Sequence, residues 1–291
     1  MLTKEQFLCR IAGGVHILDG ATGSNLMLAG MPKGSCTEKW ILENPEPLVR
    51  LQTAYADAGC QIIYAPTFQA QPIALEKNGV SDSCEEINAK LVALSRKAAP
   101  NALIAGDLAT LAAYTDAWDP EKFDLLVENY QAQIHALIEA GADLIIGETL
   151  LYPQEGEAIL TAAELEGGCA VMLSYTMQGD GSLLSGMDAG PLLQSLEEAG
   201  AAAVGFNCVA ADEFTPGLVS KLRRYVHGPL ICKPNAGNPV INSAGIAEYP
   251  LEPDEFARII AECRHCGAAL VGGCCGTTPE HMKKVCRAIE E

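Results

Sequence analysis

Residues 103–149, LIAGDLATLAAYTDAWDPEKFDLLVENYQAQIHALIEAGADLIIGET, contain the pattern that decides the fold. Leu103–Leu108 and Leu144–Thr149 are short apolar runs, and Lys122–Ala140 between them carries apolar residues at helical spacing. Continuously apolar strands are typical of a parallel sheet that is buried on both faces. The stretch therefore predicts a strand, a crossover helix and a second, parallel strand.

The same alternation recurs along the whole chain. The predicted strands are Val15–Leu18, Ile62–Phe68, Leu103–Leu108, Leu144–Thr149, Val171–Thr176, Ala203–Cys208, Leu230–Pro234 and Ala268–Gly273. The predicted helices are Leu48–Ala58, Cys84–Ala98, Lys122–Ala140, Gln154–Leu165, Pro191–Ala199, Glu213–Val226, Asp254–Cys266 and Pro279–Ile289. Eight such strand–helix units predict a single-domain (β/α)₈ TIM barrel over residues 1–291. The chain length agrees with this prediction, because the fold typically takes about 250 residues.

A doubly wound open sheet is the alternative architecture. That fold usually carries a G-x-G-x-x-G phosphate-binding turn after its first strand. Residues 19–23, Asp-Gly-Ala-Thr-Gly, follow the first predicted strand here but space their glycines differently. The barrel is therefore favoured.

Composition narrows the possible partners. The formal net charge of −18 disfavours nucleic acid, because an acidic surface repels phosphate backbones. No apolar run reaches the roughly 18 residues of a membrane span. Residues 1–14 lack a long apolar core, so we expect neither a signal nor a transit peptide. The protein is expected in the cytoplasm, where its twelve cysteines would stay reduced and available to metal or catalysis.

A barrel places its chemistry where the strands end, at the carboxyl face. Polar and metal-competent residues collect there in this chain. The residues at the predicted strand ends are Asp19, Thr67, Asp107, Glu148, Cys208, Asn235, Cys274 and Cys275. We therefore expect the functional site at this face.

Three of these strand-end residues suit a metal ion. Cys208 ends the sixth strand, and the adjacent Cys274 and Cys275 end the eighth. Alternate strands share side-chain layers inside such a barrel, so these ends can converge. Three thiolates suit one Zn²⁺ per chain and leave a tetrahedral position open for a substrate. The flanking glycines, Gly273 and Gly276, let the backbone turn so that both adjacent cysteines face one ion.

The cysteines also have two other interpretations, as buried packing residues or as ligands of a structural zinc. Each cysteine alone could be a small buried hydrophobic residue. Cys263 and Cys266 form a C-x-x-C pair and could belong to a structural zinc ribbon, but a ribbon needs a second C-x-x-C pair. Cys274 and Cys275 are adjacent instead, so the pair near 263 is assigned to packing.

Four motifs along the chain carry a family resemblance. They are Ile17–Gly23, Gly205–Cys208, Lys233–Gly237 and Gly272–His281. Together they resemble the homocysteine-binding domain of the homocysteine S-methyltransferase family, and the resemblance covers nearly the whole chain. It implies a zinc enzyme that methylates the thiol of homocysteine to form methionine.

The resemblance also implies roles for single residues. Cys208, Cys274 and Cys275 would bind zinc, and Asp19 and Glu148 would receive the ammonium group of homocysteine. The backbone N–H groups of Ala21 and Thr22 would hold its carboxylate. Asn235 would order the pocket, although a turn residue before Gly237 is an equal interpretation.

Two segments depart from the family pattern. The second strand ends in Ala65-Pro66-Thr67-Phe68, where the family usually has Thr-Asn-Thr-Phe. The third runs into Asp107-Leu108-Ala109-Thr110, where the family usually has Gly-Pro. Both segments lie at the catalytic face and bear on the choice of acceptor.

The methyl donor is less constrained by the sequence. Glu43–Glu46 and the region of Gly186–Asp188 resemble the N-terminal module of cobalamin-dependent methionine synthase. That likeness implies a methyl-corrinoid (cobalamin) donor on a separate protein or domain. The alternatives are S-methylmethionine as a free donor, another small thiol as acceptor, or a zinc/thiol redox-sensing module with no methyl transfer.

Overall fold

The computed structural model describes residues 1–242 and 247–290. In chain order the strands are β1 (His16–Ile17), β2 (Ile62–Tyr64), β3 (Leu103–Ala109), β4 (Leu144–Leu150), β5 (Val171–Tyr175), β6 (Ala203–Ala210), β7 (Leu230–Asn235), β8 (Val240–Ile241), β9 (Ala247–Glu248) and β10 (Leu270–Val271). Strands β8 and β9 pair in antiparallel orientation. The other eight all lie within or overlap the predicted strands.

These eight strands form one parallel sheet in the order β1-β10-β7-β6-β5-β4-β3-β2. A parallel bridge between Leu18 and Ile62 joins the two ends of this order. The Asp19 N–H donates to the Ile62 carbonyl at 3.0 Å, and the Gln61 N–H donates to the Ile17 carbonyl at 2.8 Å. The sheet therefore closes on itself, and the predicted (β/α)₈ barrel is confirmed.

The helices surround the sheet, and they alternate with its strands along the chain as predicted. They are α1 (Lys4–Arg10), α2 (Gly23–Leu28), α3 (Thr37–Glu43), α4 (Pro45–Ala58), α5 (Pro72–Lys77), α6 (Cys84–Ala98), α7 (Phe123–Glu139), α8 (Pro153–Leu165), α9 (Ala189–Glu198), α10 (Thr215–Leu222), α11 (Pro253–His265) and α12 (Pro279–Glu290). All eight predicted helices are present. The predicted helix Glu213–Val226 is shorter in the structure, where α10 runs from Thr215 to Leu222. Helices α1, α2, α3 and α5 were not predicted, because six or seven residues show too little periodicity.

Two apolar cores flank the strands. Side chains such as Ile104, Ile145 and Val204 pack outward against the helices. The alternate residues, including Leu103 and Leu144, fill the barrel interior. Strand residues two apart point to the same face of the sheet. Polar residues that follow the inward-facing apolar residues along a strand therefore also point inward, and they line the carboxyl end of the barrel.

The N-terminal helix closes the opposite end of the barrel. Phe7 and Ile11 pack into the interior core, and the Leu2 N–H donates to the Asp143 carbonyl at 2.7 Å. Access to the interior is thus limited to the carboxyl end. Among the helices of the described residues, none has the length and apolar character to cross a membrane.

The departure after the third strand serves a structural purpose. The Thr110 hydroxyl and the Leu111 N–H both donate to Glu155 Oε1, at 2.7 Å each. Glu155 Oε2 accepts from the Leu151 and Tyr152 N–H groups at 3.0 and 3.1 Å. This buried carboxylate ties the loops after β3 and β4 to the first turn of α8. Thr110 is therefore explained by loop anchoring.

Candidate metal centre and substrate pocket

A cavity of about 510 Å³ opens at the carboxyl end of the barrel. The predicted site residues that line it are Asp19, Ala21, Thr22, Glu148, Cys208, Cys274 and Cys275. Asn235 instead lines a neighbouring cavity, which it shares with Cys208 and Tyr249. The structure thus brings together every predicted site residue except Asn235.

The three predicted metal ligands form one cluster. The sulfur atoms of Cys208, Cys274 and Cys275 all lie within 4.8 Å of one another. Zn–S bonds of about 2.3 Å place tetrahedral sulfur ligands about 3.8 Å apart. Small inward movements of the side chains would therefore satisfy a zinc ion. The cluster fits the metal that the donor chemistry indicates.

Local backbone irregularities aim these cysteines at one point. Cys208 has φ of 57°, a left-handed conformation that is rare for residues other than glycine, and the β6–β7 register shifts between Asn207 and Ala210. Beyond β10 the backbone leaves extended geometry, and Gly276 has φ of 81°. A Cβ atom on Gly276 would collide with the Tyr249 ring. The predicted glycine-assisted turn after Cys275 is confirmed.

Asn207 holds the cluster in place, although no sequence pattern singled it out. Its side-chain oxygen accepts from the Thr149 N–H at 3.0 Å and from the Ser174 hydroxyl at 2.9 Å. Its amide nitrogen donates to the Thr149 hydroxyl at 2.6 Å and contacts the Cys274 sulfur at 3.7 Å. This fully buried side chain joins β4, β5 and β6 to a predicted ligand, as residues behind metal ligands commonly do.

The cluster favours anionic sulfur. Hydrogen bonds from Cys208 and Cys274 lower the pKa of Cys275 to about 3, whereas hydrogen bonds to the neighbouring sulfurs raise the pKa of Cys208. The thiols therefore share their protons, and one sulfur is readily ionised. Thiolate is the form of cysteine that binds metals.

A buried ammonium occupies the space between the two predicted ammonium-binding carboxylates. Lys233 Nζ lies 3.0 Å from Glu148 Oε1 and 3.6 Å from Asp19 Oδ1. It also lies 4.7 Å from the centroid of the Tyr64 ring. Desolvation lowers the pKa of Lys233, but attraction to Glu148 and then Asp19 outweighs it and raises this pKa well above its usual value. Lys233 is thus a fixed positive charge inside the pocket.

The two carboxylates differ in their remaining contacts. Asp19 is almost fully buried, and its Oδ2 accepts from the Tyr64 N–H at 2.9 Å. Burial raises the pKa of Asp19 to about 7, against the opposing effect of Lys233. Burial also raises the pKa of Glu148, again opposed by Lys233. Glu148 retains more contact with the cavity than Asp19, since 12% of its side chain is exposed.

The loop after β1 is tied to the loop after β10. The Ala21 N–H donates to the Thr277 hydroxyl at 3.1 Å, and that hydroxyl donates to the Cys274 carbonyl at 2.7 Å. The Tyr55 hydroxyl donates to the Ala21 carbonyl at 2.8 Å. The Ala21 amide is therefore used by the protein itself, and the Thr22 amide is left as the candidate for a substrate carboxylate.

Sequence reasoning did not assign roles to Lys233, Asp107 or Asn207. A signal was present for Lys233, because it interrupts the apolar run 230–234 two residues after Ile231. Ile231 packs into the barrel interior, so a charged residue two positions later also points inward. By the same rule the side chain of Asp107 points inward, because Asp107 follows the inward-facing residues Leu103 and Ala105 at intervals of two. Asn207 had no comparable signal, because an amide before a cysteine is common.

Comparisons with known proteins agree with the fold and identify the family. The family model for homocysteine S-methyltransferase matches residues 16–289, and the chain belongs to this family. It is 27% identical to homocysteine S-methyltransferase 4 from Zea mays, over 97% of this chain and 91% of that protein. It is 26% identical to methionine synthase from Mycobacterium leprae, over 96% of this chain. The chain spans only 24% of that methionine synthase's length.

The fold has a close match among solved structures. The metallated form of the homocysteine methyltransferase MmuM from Escherichia coli superposes with a TM-score of 0.80. The superposition covers 97% of this chain and 98% of that protein, at 24% sequence identity. The shared architecture is the (β/α)₈ barrel.

Proposed function

We propose that the protein is a zinc-dependent S-methyltransferase that transfers a methyl group to the thiol of homocysteine and forms methionine. The observation that carries this proposal is the cluster of three cysteine sulfurs within 4.8 Å, beside buried carboxylates at the mouth of the barrel. Three protein ligands are typical of a catalytic zinc site, whereas structural sites have four. A thiol sensor would have no use for buried carboxylates in the same pocket.

Different residues of the chain would bind the metal ion and the acceptor. Cys208, Cys274 and Cys275 would hold Zn²⁺, which when bound lowers the pKa of a coordinated thiol so that it loses its proton. Glu148 faces the cavity and can accept hydrogen bonds from an amino group. The Thr22 amide can donate to a carboxylate. In the reaction the acceptor sulfur forms a bond to the methyl carbon while the bond between that carbon and the donor breaks.

X-ray absorption at the zinc edge tests the proposal directly. We expect one zinc per chain, with three sulfur ligands in the resting protein and four after homocysteine is added. The added ligand is the substrate sulfur, because the cluster leaves one position open. A sulfur shell that homocysteine does not change would overturn homocysteine as acceptor and favour the redox-sensing alternative.

For the donor we propose a methyl-corrinoid carried by another protein or domain. Ten large hydrophobic side chains of the described residues are exposed, and eight of them lie on segments that follow barrel strands at the carboxyl end. The eight are Met27, Leu28, Trp118, Leu184, Met187, Phe214, Val240 and Ile241. Exposed apolar side chains at the end of the barrel that holds the pocket suit a protein-binding surface, and a small free donor such as S-methylmethionine does not require them.

Variants of these exposed side chains should separate the two donors. We expect Leu184→Ser combined with Phe214→Ser to slow methylation by the corrinoid domain of a methionine synthase at least about tenfold, through lost apolar contact area. Turnover with free methylcobalamin should be unchanged. Leu165→Ser, at an equally exposed position on the opposite end of the barrel, is the matched control. Efficient turnover with S-methylmethionine alone would contradict the proposal.

A further inference from the structure

A tyrosine that is not among the predicted site residues packs against the cysteine cluster. The Tyr249 ring lies directly against Gly276, the residue that follows Cys275. The Tyr249 hydroxyl is hydrogen-bonded to the Cys275 sulfur, and Tyr249 lines the same cavity of about 470 Å³ as Cys208. A phenol holds its proton at neutral pH, so the hydroxyl is the donor in a bond to an ionised sulfur.

Backbone contacts hold the segment that carries this tyrosine. The Leu251 N–H donates to the Ala236 carbonyl at 3.1 Å, and the Ala236 N–H donates to the Cys275 carbonyl at 2.9 Å. On the other side, His281 Nε2 donates to the Leu251 carbonyl at 3.0 Å. Residues 249–251 are therefore tied both to the turn that contains Cys275 and to α12, which keeps the hydroxyl in place.

The three sulfurs of the cluster differ in their hydrogen-bond donors. Cys275 has the Tyr249 hydroxyl, and Cys274 has the Asn207 side-chain amide at 3.7 Å. In the part of the chain that the structure describes, the Cys208 sulfur has hydrogen-bond partners only among the other two cysteines. Two of the three candidate ligands thus have a donor of their own from outside the cluster.

Such donors address a problem of selectivity. Metal-binding cysteines are thiolates, and so is an acceptor thiol that has lost its proton, so each of these sulfurs is a potential nucleophile toward a methyl donor. A methylated cysteine is a thioether, which has lost the charge that binds the metal. The nucleophilicity of a thiolate falls with its pKa, and a hydrogen bond to the charged form lowers that pKa. Donors to the protein sulfurs therefore favour methylation of the acceptor.

We propose that Tyr249 is a positioning residue that holds its hydroxyl against the Cys275 sulfur and thereby protects this ligand from methylation in place of the acceptor. The inference rests on the proposed function and adds a safeguard to it. In the reaction that is suppressed, the Cys275 sulfur forms a bond to the methyl carbon, and the leaving group departs with the electron pair of the bond that breaks.

Methylation of the zinc-loaded protein by methyl iodide, without homocysteine, tests the inference. Tandem mass spectrometry locates the methyl group and gives a rate for each cysteine. We expect Tyr249→Phe to raise the ratio of the Cys275 rate to the Cys208 rate by about 3- to 10-fold, as the loss of one hydrogen bond to a thiolate predicts. The Cys208 rate itself should not change, because its sulfur has no bond to Tyr249.

Cobalt(II) in place of zinc provides a spectroscopic measurement on the same variant. The sulfur-to-cobalt charge-transfer band should move to longer wavelength in Tyr249→Phe, because a sulfur that has lost a hydrogen bond gives up an electron more easily. A defect that only loosened the turn would instead speed methylation at all three cysteines, and that result would overturn the inference.

Tyr225→Phe is the matched control. The Tyr225 ring also packs against a glycine, Gly190, and this tyrosine is partly buried like Tyr249 but lies outside the cluster. Its rate ratio and cobalt spectrum should match those of the wild-type protein. An unchanged ratio or an unmoved band in Tyr249→Phe would overturn the inference. If both change as expected but no methionine forms from homocysteine in a separate assay, only the proposed function fails.

Discussion

Replacing Cys275 by serine should remove the bound zinc and reduce methylation of homocysteine at least about a thousandfold. A serine hydroxyl is a harder and far less acidic ligand than a thiolate, so the three-sulfur site is broken. Metal ions contribute several kcal/mol of stabilisation to such reactions, and a loss of about 4 kcal/mol corresponds to roughly a thousandfold. Zinc content by atomic emission and methionine formation by chromatography measure the two effects.

Cys266→Ser is the matched control for this experiment. Cys266 is partly buried, as Cys275 is, and it belongs to the C-x-x-C pair that lies outside the cluster. We expect this variant to retain one zinc per chain and near-normal activity. If Cys266→Ser lost the metal while Cys275→Ser kept it, the ligand assignment would be wrong.

Replacing Lys233 by methionine should destabilise the fold by about 3–5 kcal/mol near neutral pH. Methionine approximates the aliphatic part of lysine, but it removes the only positive charge that contacts Asp19 and Glu148 in the described structure. Breaking a buried ion pair leaves an uncompensated charge, and such changes typically cost this much. Urea denaturation followed by circular dichroism measures the change in the free energy of unfolding.

The pH dependence distinguishes this electrostatic cause from a packing defect. Burial raises the folded-state pKa of Asp19 and Glu148 above the values near 4 of the unfolded chain. A raised carboxyl pKa means that the folded state holds protons which the unfolded state has lost, so stability falls as the pH rises from about 4 toward 7. Without Lys233 this fall should be steeper, and the deficit should narrow at pH 5.

A compensating substitution provides the control. The double variant Lys233→Met with Glu148→Gln should regain part of the lost stability, because it removes one of the two unpaired carboxylates. A packing defect would not respond to this second change. A deficit that is the same at pH 5 and pH 7, and that Glu148→Gln does not reduce, would contradict the electrostatic explanation.

The sequence was sufficient for the barrel and for the candidate metal ligands, because each depends on a local pattern with a fixed geometric meaning. Apolar strands that alternate with helical segments specify parallel packing, since both faces of every strand must be covered. The ends of such strands meet at one face of a barrel. Cys208, Cys274 and Cys275 follow from these rules, and the structure brings their sulfur atoms together.

Only the tertiary structure decided which charges meet inside the pocket. Lys233, Asp107 and Glu148 lie on three different strands, and their contacts depend on register, on the backbone irregularities near Thr149 and Cys208, and on the closure of the sheet. None of these features follows from local spacing. Electrostatic energy in a buried site changes steeply with distance and solvent exposure, so it becomes defined only when the chain is folded.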